Sequence, residues 1–207
     1  MVSVRRRRRT GERGASLVEA ALVTPVFFLL IFSLIEFGLL FRDSLTTTNA
    51  AHQGARSISV AGQAPEADYG VLQAVERGLG AINPKDLDFV VVFRADGPDD
   101  VVPAACLNAS QPLLSPSQTS PACNRYLPAD LDRALDDAAG NDAGNFRCGT
   151  NAVDRFWCPT DRETNIASGV EYAGLHVQTR HRFVTGLYGD GKVLSTTRIV
   201  RLEPESR

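Results

Sequence analysis

Lysine is scarce in this chain. Lys85 and Lys192 are the only two, against 20 arginines, an imbalance that by itself points to no site. Histidine is scarce as well, with His52, His176 and His181 only. His176 and His181 are five apart in a strand-like run, so they point to opposite faces rather than forming a pair. No His-Glu-x-x-His, Gly-x-Ser-x-Gly or Walker pattern occurs. The adjacent acids Asp99-Asp100 and Asp136-Asp137 read as solvated faces. No enzyme and no cofactor is therefore expected. Cys-x-x-Cys is also missing, which disfavours a four-thiolate zinc site for Cys106, Cys123, Cys148 and Cys158. An even number of cysteines, all behind a long apolar run, instead favours disulfides in an oxidising compartment. Three pairings are open, and proximity favours Cys106–Cys123 and Cys148–Cys158. Charge is absent from Ala20 to Ile35.

What the chain does have is an uneven distribution of charge. Residues 1–14 carry six arginines (Arg5, Arg6, Arg7, Arg8, Arg9 and Arg13) against Glu12, a local charge of +5. The formal net charge of −2 then leaves −7 for residues 15–207. The tail lacks any hydrophobic period and reads as disordered in water. Such a cluster can bind nucleic acid, but its place directly before an apolar run favours the positive-inside reading, and no nucleic-acid partner is expected. The run itself, Leu17 to Phe41, is about 37 Å of helix, longer than the roughly 30 Å hydrocarbon core. A secretory signal core is shorter and ends at a small-x-small site. No cysteine follows closely enough for lipoprotein processing. A single-pass anchor is expected, its arginines cytoplasmic and the remainder extracytoplasmic.

Past the anchor, Leu45, Asn49, His52, Ala55 and Ile58 recur at helical spacing, so the helix is expected to continue as a stem to about Gly62 and Pro65. A second helix is predicted over 66–79, ended by Gly78, Gly80 and Pro84. Leu87, Phe89, Val91 and Phe93 alternate, with Val90 and Val92 on the other face, which predicts a central, two-sided strand over 86–94. Residues 97–126 hold five of the eleven prolines and two cysteines, a loop that needs stapling. A short acidic helix is predicted over 128–139, then an irregular segment with Cys148, Trp157 and Cys158. Val170–Tyr188 and Lys192–Leu202 flank Gly189-Asp190-Gly191, a strong hairpin signal, and Gly186 is read as a bulge.

One motif carries more than topology. A cut between Gly14 and Ala15 would remove the arginine tail and leave Glu19 as the fifth mature residue. A carboxylate at that depth is expensive unless paired, and a neighbouring subunit's free amino terminus is a natural partner when helices bundle. This is the pattern of type IV prepilins and pseudopilins. More closely, Arg13-Gly14-Ala15-Ser16-Leu17-Val18-Glu19 through Pro25, Glu36-Phe37-Gly38 and Gly54-Ala55-Arg56 resembles the TadE-like family of tight-adherence pilus assembly systems over about residues 13–60. Many prepilins carry an aromatic soon after the glutamate, whereas Ala20 and Ala21 stand here.

The resemblance implies a pseudopilin-like minor pilin, processed by a prepilin peptidase at Gly14, Ala15 and Glu19. It would work with other Tad/Flp pilus proteins, related pseudopilins among them, in surface attachment. Glu19, Pro25, Glu36 and Gly38 are then candidate subunit contacts. Glu36 reads first, however, as an outer headgroup residue beside Arg42 and only second as a subunit contact, and Pro25 either kinks the helix or is absorbed. Gly54, Ala55 and Arg56 read as close packing between stem and head. The expected architecture is α+β and pilin-like, with a basic leader (1–14), a transmembrane helix (15–41), a helical stem (42–62) and a head (63–207). The head combines an antiparallel sheet, a C-terminal hairpin and disulfide-stapled loops (97–160). From a different class, a membrane-anchored surface binding protein that enters no filament fits the acidic, stapled head.

Overall fold

The computed structural model describes residues 12–108, 122–135, 145–149, 152–166 and 169–204. The arginines Arg5 to Arg9, the pair Asp136-Asp137 and parts of the 97–160 loops lie outside the described residues. One helix, α1 (Glu12–Ala61), joins the apolar run to the head and runs through Pro25 without a break. It ends at Gly62, whose φ of 53° is the left-handed conformation that stops a helix. Helix α2 (Ala67–Leu79) then folds back along it. Gly78 lies against Ala50 and Gly70 against Ser57, so the two helices are antiparallel.

Strand β1 (Leu87–Ala95) is followed by the short helix α3 (Ala104–Leu107), β2 (Cys123–Tyr126) and α4 (Pro128–Leu135). Strands β3 (Tyr172–His181) and β4 (Lys192–Arg201) complete a four-stranded antiparallel sheet in the order β2-β1-β3-β4. The α+β, pilin-like architecture is thus the observed one. Strand β1 is internal, and its two apolar faces have separate partners. Val90 and Val92 join Ala173, Leu175 and Val177 against Ala50, Ala51, Ala55 and Ile58 of α1 and Val71, Leu72 and Val75 of α2. Phe89, Val91, Phe93 and Ala95 pack on the opposite face with Cys106 and Cys123. The simple alternation fails at one end. The register against β3 shifts between Leu87 and Phe89, so Leu87 joins the helix-facing core instead of lying beside Phe89.

The hairpin also differs from its sequence reading. Pairing of β3 with β4 ends at His181↔Lys192, so residues 182–191 form a long connection and Asp190-Gly191 is not a two-residue turn. Gly191 permits this ending because a Cβ there would collide with the His181 carbonyl. The strand stops because Phe183 to Tyr188 leave the sheet for α1.

Both disulfides follow the shorter spacings. Cys106–Cys123 has a Cα–Cα distance of 6.3 Å and ties α3 to β2, and Cys148–Cys158 spans 5.4 Å in the irregular segment. That segment is held by a buried polar network. Arg162 Nη2 donates to Asp68 Oδ1 at 2.6 Å, with both side chains wholly buried. Tyr126 Oη and Asn124 Nδ2 donate to Asp68 Oδ2 at 2.5 and 2.9 Å. Asn124 Oδ1 accepts from Trp157 N at 2.9 Å, and the Arg162 guanidinium lies 4.3 Å from the Trp157 ring centre. A buried ion pair depends on how well its remaining polar atoms are bonded: Asp68 takes three donors, whereas Arg162 Nε and Nη1 have no hydrogen-bond partner among the described residues and the guanidinium rests on the Trp157 ring.

Asp154 is buried beside this network and accepts from Cys148 N at 3.0 Å. That bond and the disulfide hold Cys148 at φ 57°. Burial, with a smaller push from Asp68, raises the Asp154 carboxyl from 3.8 to about 6.

Two consequences are measurable. A Cβ on Gly54 would lie 2.6 Å from Val75 Cγ2 and closer still to Leu175 Cδ2. Gly54→Val is therefore expected to destabilise the head by roughly 1–3 kcal/mol, read as a lower urea midpoint; an unshifted midpoint would contradict that packing. Between about pH 4 and 6 the folded chain holds a proton on Asp154 that the unfolded chain has released. Its contribution to stability is present below that window and is lost as pH rises through it, by roughly 2–3 kcal/mol. Asp154→Asn should flatten this part of the stability–pH curve, and an unchanged slope would contradict the assignment.

Candidate functional site on the long helix

The motif residues on α1 fall into three groups. Near its start, Gly14, Ala15 and Glu19 are exposed, and no atom lies within 4 Å of a Cβ built on Gly14. Glu19 has no hydrogen bond or ion pair among the described residues. Arg13 belongs to the same helix. Gly14–Ala61 contains a stretch long and apolar enough to cross a membrane, at a mean hydropathy of 2.3, and none of that stretch is buried within the chain. Pro25 sits within it, exposed. At the far end, Gly54 and Ala55 are buried where α1 meets α2 and β3, while Arg56 is exposed.

Glu36 forms the middle group, and it has a partner inside its own chain. Its carboxylate is fully buried. Oε2 accepts from Val184 N at 3.1 Å, and Oε1 accepts from Thr185 N at 2.5 Å and from Thr185 Oγ1 at 2.7 Å. Gly38, on the turn beside it, is exposed, with open space where a Cβ would stand.

These bonds belong to a longer seam. Strand β3 and the chain after it descend α1 in register. Thr179 Oγ1 meets Thr47 Oγ1 at 2.8 Å, and His181 Nδ1 meets Asp43 Oδ2 at 2.7 Å. Val184 and Thr185 then cap Glu36, and Tyr188 Oη meets Ser33 Oγ at 2.5 Å. Aromatic rings fill the spaces between the polar contacts. Phe183 lies 5.1 Å from the His181 ring and 5.8 Å from Tyr188, which is 5.1 Å from Phe37. From Asp43 to Ser33 the chain follows about 15 Å of helix. Gly186 (φ 69°) and Gly189 (φ 93°) turn it back toward β4.

Most of this seam escapes a reading of the sequence. Thr185, His181 and Tyr188 carry no motif, and Glu36 is separated from Thr185 by 149 positions. The sequence holds one hint, since the apolar–polar alternation of Leu175, His176, Val177 and Gln178 is lost beyond Val184, where the backbone leaves the sheet. His176, on the opposite face, stacks on Phe89 at 6.0 Å and bonds Thr197 Oγ1. Burial lowers its imidazole below the ordinary value, which favours the neutral ring. Elsewhere a cavity of about 160 Å³ opens between α2 and α4, lined by Glu76, Leu79, Ile82, Leu87, Leu131 and Asp132. Burial, and then Asp132, raises the Glu76 carboxyl.

Residues 14–56 match the model of a protein family described as TadE-like protein. The matched stretch lies wholly within α1 and includes every motif residue from Gly14 to Arg56. No curated protein and no solved structure matches the chain. The likeness to TadE-like proteins thus covers the N-terminal helix, about a fifth of the chain, and none of the elements after it.

Proposed function

We propose that this chain is a single-pass pseudopilin-like minor pilin that takes part in assembling a tight-adherence (Flp) pilus for surface attachment. Its arginine-rich end lies in the cytoplasm and its disulfide-bearing head outside. A prepilin peptidase cuts between Gly14 and Ala15, and the mature chain meets other pilus proteins, related pseudopilins among them, through α1. The observation that carries this reading is the isolated carboxylate of Glu19, exposed and unpaired among the described residues within a TadE-like segment.

A charge there is tolerated only with a partner, and the amino terminus released on Ala15 of a neighbouring copy supplies one. Support also comes from the outward face of α1. Leu34, Gly38, Phe41 and Leu45 recur at helical spacing over about three turns and are all exposed, on the side away from Glu36, which faces the head. A second helix laid along that stripe would cover it, and Gly38 would let the backbones approach closely.

Two measurements test this reading. Mass spectrometry of the chain made alongside its prepilin peptidase should find Ala15 as the new terminus; an intact Arg13–Ala15 peptide would overturn the processing step. Glu19→Ala should then be cleaved but lose most cross-links between cysteines placed along residues 20–35 of neighbouring chains. Cleaved wild-type chains that never cross-link would favour the surface binding protein that enters no filament.

A further inference from the structure

The connection between β3 and β4 is unusually apolar for the tip of an exposed loop. Val184, Leu187 and Tyr188 expose 76%, 54% and 43% of their surface, although the head has a large core that could have taken them. The loop is not a loose excursion. Its backbone amides are fixed on Glu36, its Tyr188 hydroxyl on Ser33, and its Tyr188 ring on Phe37. Its exposed side chains therefore stand at a defined height beside α1.

That height follows from the helix. Hydrocarbon-compatible sequence begins at Leu17, and at 1.5 Å per residue Glu36 lies about 28 Å further along, close to the roughly 30 Å thickness of a bilayer's apolar core. Residues 33–37 thus occupy the last turn inside the outer boundary. The flanking helix surface is itself apolar and exposed, with Ile35 and Phe37 on either side of Glu36. Tyrosine suits such a depth, where one end of the ring is apolar and the other wet. The base of the loop returns to charge: Arg182 pairs with Asp86 at 2.7 Å, and Asp190 and Lys192 are exposed.

We infer that residues 183–188 form a second membrane contact, a wedge that dips Val184, Leu187 and Tyr188 into the outer-leaflet interface while Glu36 pins the wedge to the spanning helix. The inference rests on the reading of α1 as a membrane span. It gives Glu36 a second effect, because the loop covers a carboxylate that lipid would otherwise meet. The head is thereby held at a fixed height and tilt on the bilayer surface. The occupant of the apolar patch is lipid, continuous with the lipid around α1.

Tryptophan quenching in vesicles tests this with the full-length chain. Leu187→Trp and, separately, Phe28→Trp are reconstituted into phosphatidylcholine carrying bromine either near the headgroup end or at the middle of the acyl chains. The signal of Trp157, buried in the head, is subtracted using the unsubstituted chain. Leu187→Trp is expected to emit to the blue and to be quenched by shallow bromines more than by deep ones, and Phe28→Trp by the deep ones. Quenching of Phe28→Trp alone would overturn the wedge and leave the span intact, including the case where Leu187→Trp is blue-shifted by a protein neighbour. Absence of quenching in both would remove the span and the wedge with it. Adding Glu36→Ala to Leu187→Trp should lower shallow quenching while Phe28→Trp keeps its own; unchanged shallow quenching would contradict the pinning role of Glu36.

Discussion

A carboxylate midway along the 50-residue helix α1, Glu36, is the constraint that the rest of the structure answers. Burying such a group without partners is prohibitive. The chain meets the requirement with its own backbone. Two amides and one hydroxyl from Val184 and Thr185 converge on the two carboxylate oxygens. Charge-assisted bonds of this kind are the stronger ones, and here they fix the depth to which the head reaches down the helix.

The fold can be read outward from that attachment. Strand β3 must run antiparallel to the upper part of α1 for its exit to reach Glu36, and the threonine and histidine contacts at Thr47 and Asp43 keep it aligned. Gly54 lets β3 and α2 approach the helix closely. The sheet then extends through β1 to β2, whose outer end is secured to α2 by the Asp68 network and to α3 by Cys106–Cys123. The two glutamates of α1 stand in contrast. Glu36 is satisfied within the chain and builds the fold, whereas Glu19 is exposed and unpaired among the described residues.

What the sequence made legible follows from the range of the interactions. The apolar length of α1, the alternation in β1 and the shorter cysteine spacings are local patterns, and the architecture they imply is the one observed. The ends of patterns were harder. Leu87 fits the alternation but is moved to the other face by a bulge, and Asp190-Gly191 has the composition of a tight turn at the end of a connection that runs 182–191. Long-range polar partners left no periodic trace. Asp68 and Arg162 are 94 positions apart, and each looks like an ordinary surface residue until the fold buries both. Glu36 was legible as a charge in an awkward place, but its partners are mainly backbone amides, which no side-chain pattern encodes.

Hydrogen exchange at the Val184 and Thr185 amides, measured on the full chain with and without Glu36→Ala, addresses the attachment most directly. Both amides should exchange slowly in the unsubstituted chain and much faster in the variant, while Val90 and Val92 in the central strand stay protected in both. Fast exchange at Val184 and Thr185 in the unsubstituted chain, or protection that survives Glu36→Ala, would contradict the claim that this carboxylate holds the head to the helix.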